Sequence, residues 1–327
     1  MPKKPAGLPI PFGWFAVEYS DALQPGEVRP LDYFDDERVI WRGEDGAVRA
    51  LPAHCRHLGA HLGRGGEVVG NDLRCPFHHW TYDGDGAVTA IPYSPAPPPP
   101  VLRRPCPDPV FVEEQHGVIY VWHHPLGEPP RWTLASVPEL DSGDWVPFER
   151  RDWVISIHCQ EITENGVDYP HFLYVHGTKS PPEPEWKIEG VKRESFVTTK
   201  METPRGLVDG TIHVRNTGPG QSFVRFGGIS DVLMANLPTP IDENSTHLRQ
   251  IFFTKRDASE GGQRVARAVA ANVILQLEQD IPIWRHKRYV PNPPLVRGDG
   301  PIVAYRRNYA QYYVTAPMPD ASREAAE

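Results

Sequence analysis

Residues 55–86 read CRHLGAHLGRGGEVVGNDLRCPFHHWTYDGDG. Two short pairs stand in this stretch, Cys55 with His57 and Cys75 with His78, with seventeen residues between them. Each pair offers one thiolate and one imidazole, so two loops can converge on one metal centre. Thiolates bind iron strongly, and imidazoles on one side raise the potential of an iron–sulfur cluster. Gly59, Gly63, Gly65 and Gly66 leave the first loop free to fold over such a group. A structural zinc site needs the same donors, but its pairs more often come as two Cys and then two His. Two reduced cysteines with incidental histidines is the third reading. One Cys and one His per loop best suits two thiolates on one iron and two imidazoles on the other. His54, His61 and His79 flank the loops and are expected to support them rather than to bind metal.

Composition narrows the class. At 327 residues the chain holds one large domain or two ordinary ones, enough to bury a core without disulfides. Asp and Glu outnumber Lys and Arg by 42 to 34, and the two signs are interspersed, which argues against a nucleic-acid partner. No apolar run reaches the ~20 residues of a membrane-spanning helix, so no integral membrane segment is expected. The N-terminus lacks an apolar signal core. A cytoplasmic protein is expected, with its four cysteines reduced or metal-bound rather than paired. Cys106 and Cys159 have no metal-type partner at short spacing and are expected as free structural thiols. Proline, at 37 residues, is well above its usual ~5% share and predicts loops and edge strands.

Along the chain, short strands are expected at 37–42 and 47–51, with a hairpin of 110–112 and 118–122. The proline-rich stretch 92–109 should run extended over the surface. A Pro/Gly cluster at 125–130 divides the chain into domains 1–127 and 128–327. A strand at 153–161 and a helical segment at 164–176 follow. Residues 190–255 read as an antiparallel meander, with strands at 197–201, 211–215, 222–226, 232–237 and 247–254. One long helix, about 262–284, comes next, its apolar side chains spaced i, i+3, i+4 from Ala266 to Trp284. The expected fold class is α+β, with an all-β first domain and a second in which an antiparallel sheet curls around one long helix. Phe223, Phe226, Val232, Met234, Ile251 and Phe253 sit on the meander strands. Each on its own reads first as core, and together they suit the wall of an apolar cavity.

A second metal set lies in residues 161–176, EITENGVDYPHFLYVH, which contain Asp168, His171 and His176. In a regular helix the two histidines point about 140° apart, so sharing a metal needs a distortion, and Pro170 sits at the right place for one. Two imidazoles and one carboxylate on one face of an iron leave open positions for oxygen and substrate. Asp168 is the nearest carboxylate, but it can equally act as a bridge outside the coordination shell. On the long helix, Asp280 falls about 60° from the centre of the apolar stripe, whereas Glu278 falls about 100° away. A carboxylate on a buried stripe is costly unless paired or metal-bound, so Asp280 is the expected third ligand. Asn165 and Tyr169 are expected to support this segment.

The boxes CRHLGAHLGRGG and CPFHHWTYDGDG resemble those of the Rieske iron–sulfur domain, with His79 where many family members carry Gly. The segment ENGVDYPHF, followed by His176, resembles the oxygenase subunits of Rieske non-haem iron oxygenases, and the resemblance spans nearly the whole chain. It implies an N-terminal Rieske domain with a 2Fe–2S cluster on Cys55, His57, Cys75 and His78. It implies a C-terminal helix-grip catalytic domain with mononuclear Fe(II) on His171 and His176. It also implies a head-to-tail homotrimer, in which electrons cross from one subunit's cluster to the neighbour's iron by way of Asp168.

The tail QDIPIWRHKRY from Gln279, with the Pro and Tyr runs after it, looks like one subgroup: the oxygenase component of 3-ketosteroid 9α-hydroxylase and the Rieske-type sterol 7-desaturases. In that subgroup the Asp of D-x-x-I-W is the third iron ligand, which agrees with the helix-face argument for Asp280. The implied activity is hydroxylation or desaturation of a small, apolar, steroid- or sterol-like substrate with O2. An aromatic or other alicyclic substrate is the alternative. The chain has no G-x-G-x-x-G fingerprint and no second iron–sulfur motif. Electrons are therefore expected from a separate NAD(P)H-dependent reductase or ferredoxin.

Overall fold

In chain order the first strands are β1 (Gly13–Tyr19), β2 (Val28–Tyr33), β3 (Asp36–Arg42), β4 (Val48–Pro52), β5 (Glu67–Val69), β6 (Asp72–Arg74), β7 (Thr81–Tyr82), β8 (Val88–Ala90), β9 (Val112–Gln115) and β10 (Val118–His123). They pair as three antiparallel sheets, β1–β10–β9, β2–β3–β4 and β5–β6–β7–β8. This is a computed structural model, and it describes residues 7–178, 184–203, 206–228 and 231–314, without the side chains of 199–203 and 206–208. Residues 1–6, part of the N-terminal stretch read for a signal, lie outside the described residues.

A two-residue turn joins β2 to β3, with Phe34 and Asp35 at φ +65° and +54°. Positive φ at both positions matches the twist of paired strands but strains side-chain-bearing residues. The turn is held from outside. Its two N–H groups donate to the carbonyls of Pro240 (3.1 Å) and Ile241 (2.8 Å), which belong to the second domain. The Phe34 ring stacks on buried His123 at 4.5 Å.

The second half holds α1 (Pro138–Asp141), β11 (Trp145–Ile155), α2 (Cys159–Glu164), α3 (Pro170–Tyr174), β12 (Glu185–Glu189), β13 (Lys192–Thr203), β14 (Gly206–Thr217), β15 (Gln221–Gly227), β16 (Val232–Pro240), β17 (Thr246–Lys255), α4 (Glu260–His286) and α5 (Ile302–Tyr309). One antiparallel sheet runs β11–β17–β16–β15–β14–β13–β12, so the meander is as expected, with β11 and β12 added at its edges. Helix α4 starts at a Ser259 cap, whose hydroxyl accepts the Gly262 N–H, and packs Ala266 and Ala270 on one face of the sheet. No helix among the described residues is long and apolar enough to cross a membrane.

Three expectations need correction. The strand expected at 153–161 ends at Ile155, and Cys159 opens α2 instead. His158 caps that helix by accepting the Gln160 N–H at 3.1 Å, a local signal that outweighs the apolar run. The proline-rich stretch is not one extended ribbon. It turns at Pro99, whose carbonyl accepts the Leu102 N–H at 2.9 Å, so that Leu102 and Cys106 pack against the first domain's core. Finally, Phe223, Ile251 and Phe253 do not share a face with Phe226, Val232 and Met234. The first three pack against Trp14 of β1 and Trp122 of β10, and the last three face α4. Both faces of these strands are buried, so the period-2 alternation that usually marks the inner face is missing.

The contact between the halves is therefore a real core. Besides these side chains, the buried Arg249 guanidinium donates to the carbonyls of Ala16 and Val17, both at 2.8 Å, and to Tyr33 Oη at 2.8 Å. Thr239 Oγ1 donates to the Ala16 carbonyl at 2.6 Å.

Candidate functional site

The two Cys/His loops fold by the same rule. After β4, the Cys55 N–H donates to the Ala60 carbonyl (2.9 Å) and the Gly59 N–H returns to the Cys55 carbonyl (2.9 Å). After β6, the Cys75 N–H donates to the Trp80 carbonyl (2.8 Å) and the His79 N–H returns to the Cys75 carbonyl (3.2 Å). Gly59 and His79 thus occupy equivalent positions, and both are left-handed, at φ +75° and +57°. That geometry is why glycine suits position 79 and why His79 carries strain there.

The loops bring all four expected ligands together by type. Burial pushes the Cys75 thiol up, and the neighbouring Cys55 thiol adds to the shift. Tyr82 Oη lies 3.0 Å from Cys55 Sγ. The His57 and His78 rings pair edge-to-face at 4.8 Å, and His57 stacks on Trp80 at 4.4 Å. Sulfurs sit with sulfur and imidazoles with imidazole. His57 Nδ1 is buried and has no hydrogen-bond partner among the described residues, as a metal-binding nitrogen should be. A single zinc ion would draw all four donors to one point, at bonds of ~2.0–2.3 Å. Among the described residues, the one donor group gathered that tightly is a different one. The quartet therefore fits a two-iron cluster better than one zinc. The loop tips present apolar side chains outward: Leu58 is 65% and Phe77 61% exposed.

The tightly gathered group is His171, His176 and Asp280, whose donor atoms all lie within 4.8 Å of one another. The helix expected at 164–176 is broken into α2, a 3-10 turn at Asn165–Val167 and α3, with Asp168 extended before Pro170. After Tyr174 the helix stops, and the N–H groups of Val175 (2.8 Å) and His176 (3.4 Å) both turn to the His171 carbonyl. This removes the 140° mismatch of a regular helix: the two rings meet edge-to-face at 5.0 Å. Asp280 comes from the buried stripe of α4, while Glu278 is exposed. Gly300 lies against the 3-10 turn. A Cβ there would lie 2.1 Å from the Val167 carbonyl, so only glycine lets that loop close on the 3-10 turn.

Hydrogen bonds fix the tautomers. His171 Nδ1 donates to the Asp168 main-chain carbonyl, and His176 Nδ1 donates to Gln279 Oε1 at 3.0 Å. Each Nε2 is left with its lone pair free of a proton; that of His176 is 3.4 Å from Asp280 Oδ2. Asn165 Nδ2 donates to Asp280 Oδ2 at 2.9 Å and lies 3.1 Å from His171 Nε2. Burial pushes Asp280 up to about 6, against the pull of His176 and Asn165, and pushes His171 down to about 4. A desolvated carboxylate with two neutral imidazoles is the donor set of a divalent, oxygen-activating iron. Asp168 touches His171 through its main chain, and its own carboxyl is raised by burial. Asn165 had been expected only to support the segment; it touches two members of the triad. Gln279 was missed, because it neighbours Asp280 in sequence but not on the buried stripe. Cys106 and Cys159 are free thiols; Cys106 packs against the core that holds Cys55 and Cys75, and burial pushes Cys159 up to about 12.

Comparison with known proteins shows which family the chain resembles. The Rieske [2Fe-2S] domain profile matches residues 13–107, and the 3-Ketosteroid 9alpha-hydroxylase C-terminal domain profile matches residues 121–313. A probable 3-ketosteroid-9-alpha-monooxygenase oxygenase component of Rhodococcus rhodochrous is 32% identical over 92% of this chain and 79% of its own length. The cholesterol 7-desaturase nvd of Bombyx mori is 30% identical over 93% of this chain and 70% of its own. Among solved structures, Pseudomonas putida CBB5 NdmA with caffeine superposes with a TM-score of 0.72 at 20% identity, covering 90% of this chain and 88% of that one. Dicamba monooxygenase bound to dicamba gives 0.71 at 18% identity, covering 96% and 98%.

Proposed function

The chain belongs to the 3-ketosteroid 9α-hydroxylase family of Rieske non-haem iron oxygenases, and from that premise we propose that it oxidises a steroid- or sterol-like ring substrate by hydroxylation or desaturation. It is an oxygenase component, so a separate reductase or ferredoxin supplies its electrons. The observation that carries the reading is the convergence of His171, His176 and Asp280 with both imidazole Nδ1 atoms tied to oxygen acceptors. We assign those three as ligands of the mononuclear iron, and Cys55, His57, Cys75 and His78 as ligands of the 2Fe–2S cluster.

When bound, the two iron centres supply oxygen activation and one-electron transfer. The protein's own part is positioning. Gln279 and the Asp168 carbonyl hold the imidazoles, and Asn165 holds the carboxylate. The helix-facing side chains Val224, Phe226, Val232, Met234 and Phe252 make the sheet face that packs with Ala266 and Ala270 of α4 apolar. Apolar ring systems suit such a surface, which removes them from water without asking for hydrogen bonds.

Within one subunit the cluster loops touch Trp80, Tyr82 and Phe77 of the first domain, whereas the iron set touches Asn165, Gln279 and Phe172 of the second. We read this separation, with Leu58 and Phe77 exposed beside the cluster histidines, as support for a head-to-tail homotrimer in which the cluster of one copy faces the iron site of the next. In that arrangement the Asp168 carboxylate bridges the two centres, and the assembly resides in the cytoplasm. The test is turnover of the iron-loaded protein with a surrogate reductase, NADH and O2 across a panel of ring steroids and sterols, read by mass spectrometry. A product with one added oxygen, or one lacking two hydrogens, is expected. Oxygen-coupled turnover of aromatic acids and none of any ring steroid overturns the substrate assignment.

A further inference from the structure

An oxygen-activating iron that turns over with no substrate C–H bond in reach is left with oxidising equivalents, and nearby side chains are their targets. Tyr and Trp give up an electron more readily than other ring side chains. The core cluster next to the candidate iron site is made of them: Tyr305, Tyr309 and Tyr312 pack with Val167 of the 3-10 turn. A core needing only bulk takes Phe, which brings no hydroxyl to desolvate. Here every hydroxyl has a partner. Tyr305 donates to the Gln160 carbonyl (3.1 Å) and Tyr312 to the Val191 carbonyl (3.2 Å), and Tyr309 lies 3.5 Å from Cys159 Sγ.

The rings form a line. Tyr169 stands two residues before His171, so their Cα atoms are at most ~7.6 Å apart. Its Oη accepts the Trp186 indole N–H at 2.6 Å, and Trp186 packs on the tyrosine cluster. Ring centroids then step 5.7 Å from Tyr305 to Tyr309, 5.3 Å to Tyr312 and 5.9 Å to Trp132. Trp132 is half-buried beside exposed Arg131.

We propose that this line carries oxidising equivalents from the iron site to Trp132 at the surface during unproductive turnover. The inference rests on the oxygenase reading above. In each passage the line would give up one electron to an iron held by His171, His176 and Asp280. Each phenol, while oxidised, shifts its proton along its hydrogen bond toward the partner oxygen or sulfur without releasing it, and regains it when the next ring refills it. Trp132 is left one electron short and is restored by a soluble thiol. Two passages deliver two electrons to the iron site, and at the surface two thiols become one disulfide and release their two protons to water.

The test uses reduced, iron-loaded protein exposed to O2 without substrate. Rapid-freeze EPR is expected to show an aromatic radical whose line shape changes with ring-deuterated Tyr or Trp. Trp132→Phe and Tyr312→Phe, each checked for folding by circular dichroism, are expected to shorten the enzyme's life per O2 consumed at least threefold. Peptide mass spectrometry should then find oxidation moved from Trp132 to residues 165–176. No aromatic radical from protein with an intact mononuclear iron signal, or both variants with wild-type lifetime and damage pattern, overturns the relay alone. Absence of the iron signal overturns the oxygenase reading, and the relay with it.

Discussion

Gln279→Leu isolates what the second-layer hydrogen bond to His176 contributes. In the folded chain Gln279 Oε1 accepts the His176 Nδ1–H at 3.0 Å. The His176 side chain is only 2% exposed, so water has little access to that proton once the amide is gone. Leaving a buried donor unpaired costs ~1–3 kcal/mol. The same loss seen from the metal is a 10–100-fold drop in affinity when such a partner is removed, which is ~1.4–2.8 kcal/mol. The two estimates overlap, and the exposed position of Gln279 itself favours the lower end. The assay is Co(II) binding, followed by its visible bands, on protein with the Rieske cluster intact. Gln279→Glu keeps an acceptor in place and should bind at least as tightly as wild type. Equal losses in the Leu and Glu variants, or none in Leu, would refute the reasoning, since only the loss of the acceptor distinguishes the two.

Asp280→Ala should abolish mononuclear iron while the cluster's visible spectrum persists, and Cys55→Ala should do the reverse; metal and sulfide analysis reads both. Metal affinity should be flat above about pH 6 and fall below it, because Asp280 is pushed up to about 6 while His171, held down to about 4, is already neutral there. The same shifts act oppositely on the apo-protein's stability as pH rises. A raised Asp280 loses stability from its unfolded value up to about 6, and a lowered His171 gains it from about 4 to its unfolded value. Urea unfolding of the apo-protein should therefore change little across that range, while a metal-binding midpoint near 4 would point to His171 instead. His79→Gly should stabilise the protein by up to about 1 kcal/mol in urea, because glycine relieves the left-handed strain at φ +57°. Phe253→Ala and Phe252→Ala should each cost ~3–5 kcal/mol, but only the second, on the α4 side, should alter substrate KM.

The pairing of the two Cys/His loops was legible because loop chemistry is local: a Cys, a His and a left-handed closing residue fit within six positions. Asp280 was legible for a different reason. A lone acid on an apolar helical stripe is an anomaly that spacing alone exposes. The faces of the central strands were not legible, since a sheet packed on both sides carries no alternation to read. Gln279 was invisible for the converse reason, as an exposed polar residue looks like solvent-facing helix unless the partner across space is known. The broken helix at 164–176 was half legible. Pro170 announced a distortion, but its form, two N–H groups sharing one carbonyl at His171, depends on where the chain must go next.

The Phe34–Asp35 turn, clamped to the Pro240 and Ile241 carbonyls, bears on kinetics. With Arg249 threaded beneath it into the Ala16 and Val17 carbonyls, the cluster domain has no slack hinge on which to swing. In the proposed trimer the donor cluster is thus held rigidly on its own subunit, and transfer to the next copy's iron should be set by the spacing at the subunit interface and the driving force. Its rate should be insensitive to solvent viscosity, unlike transfer gated by a moving carrier.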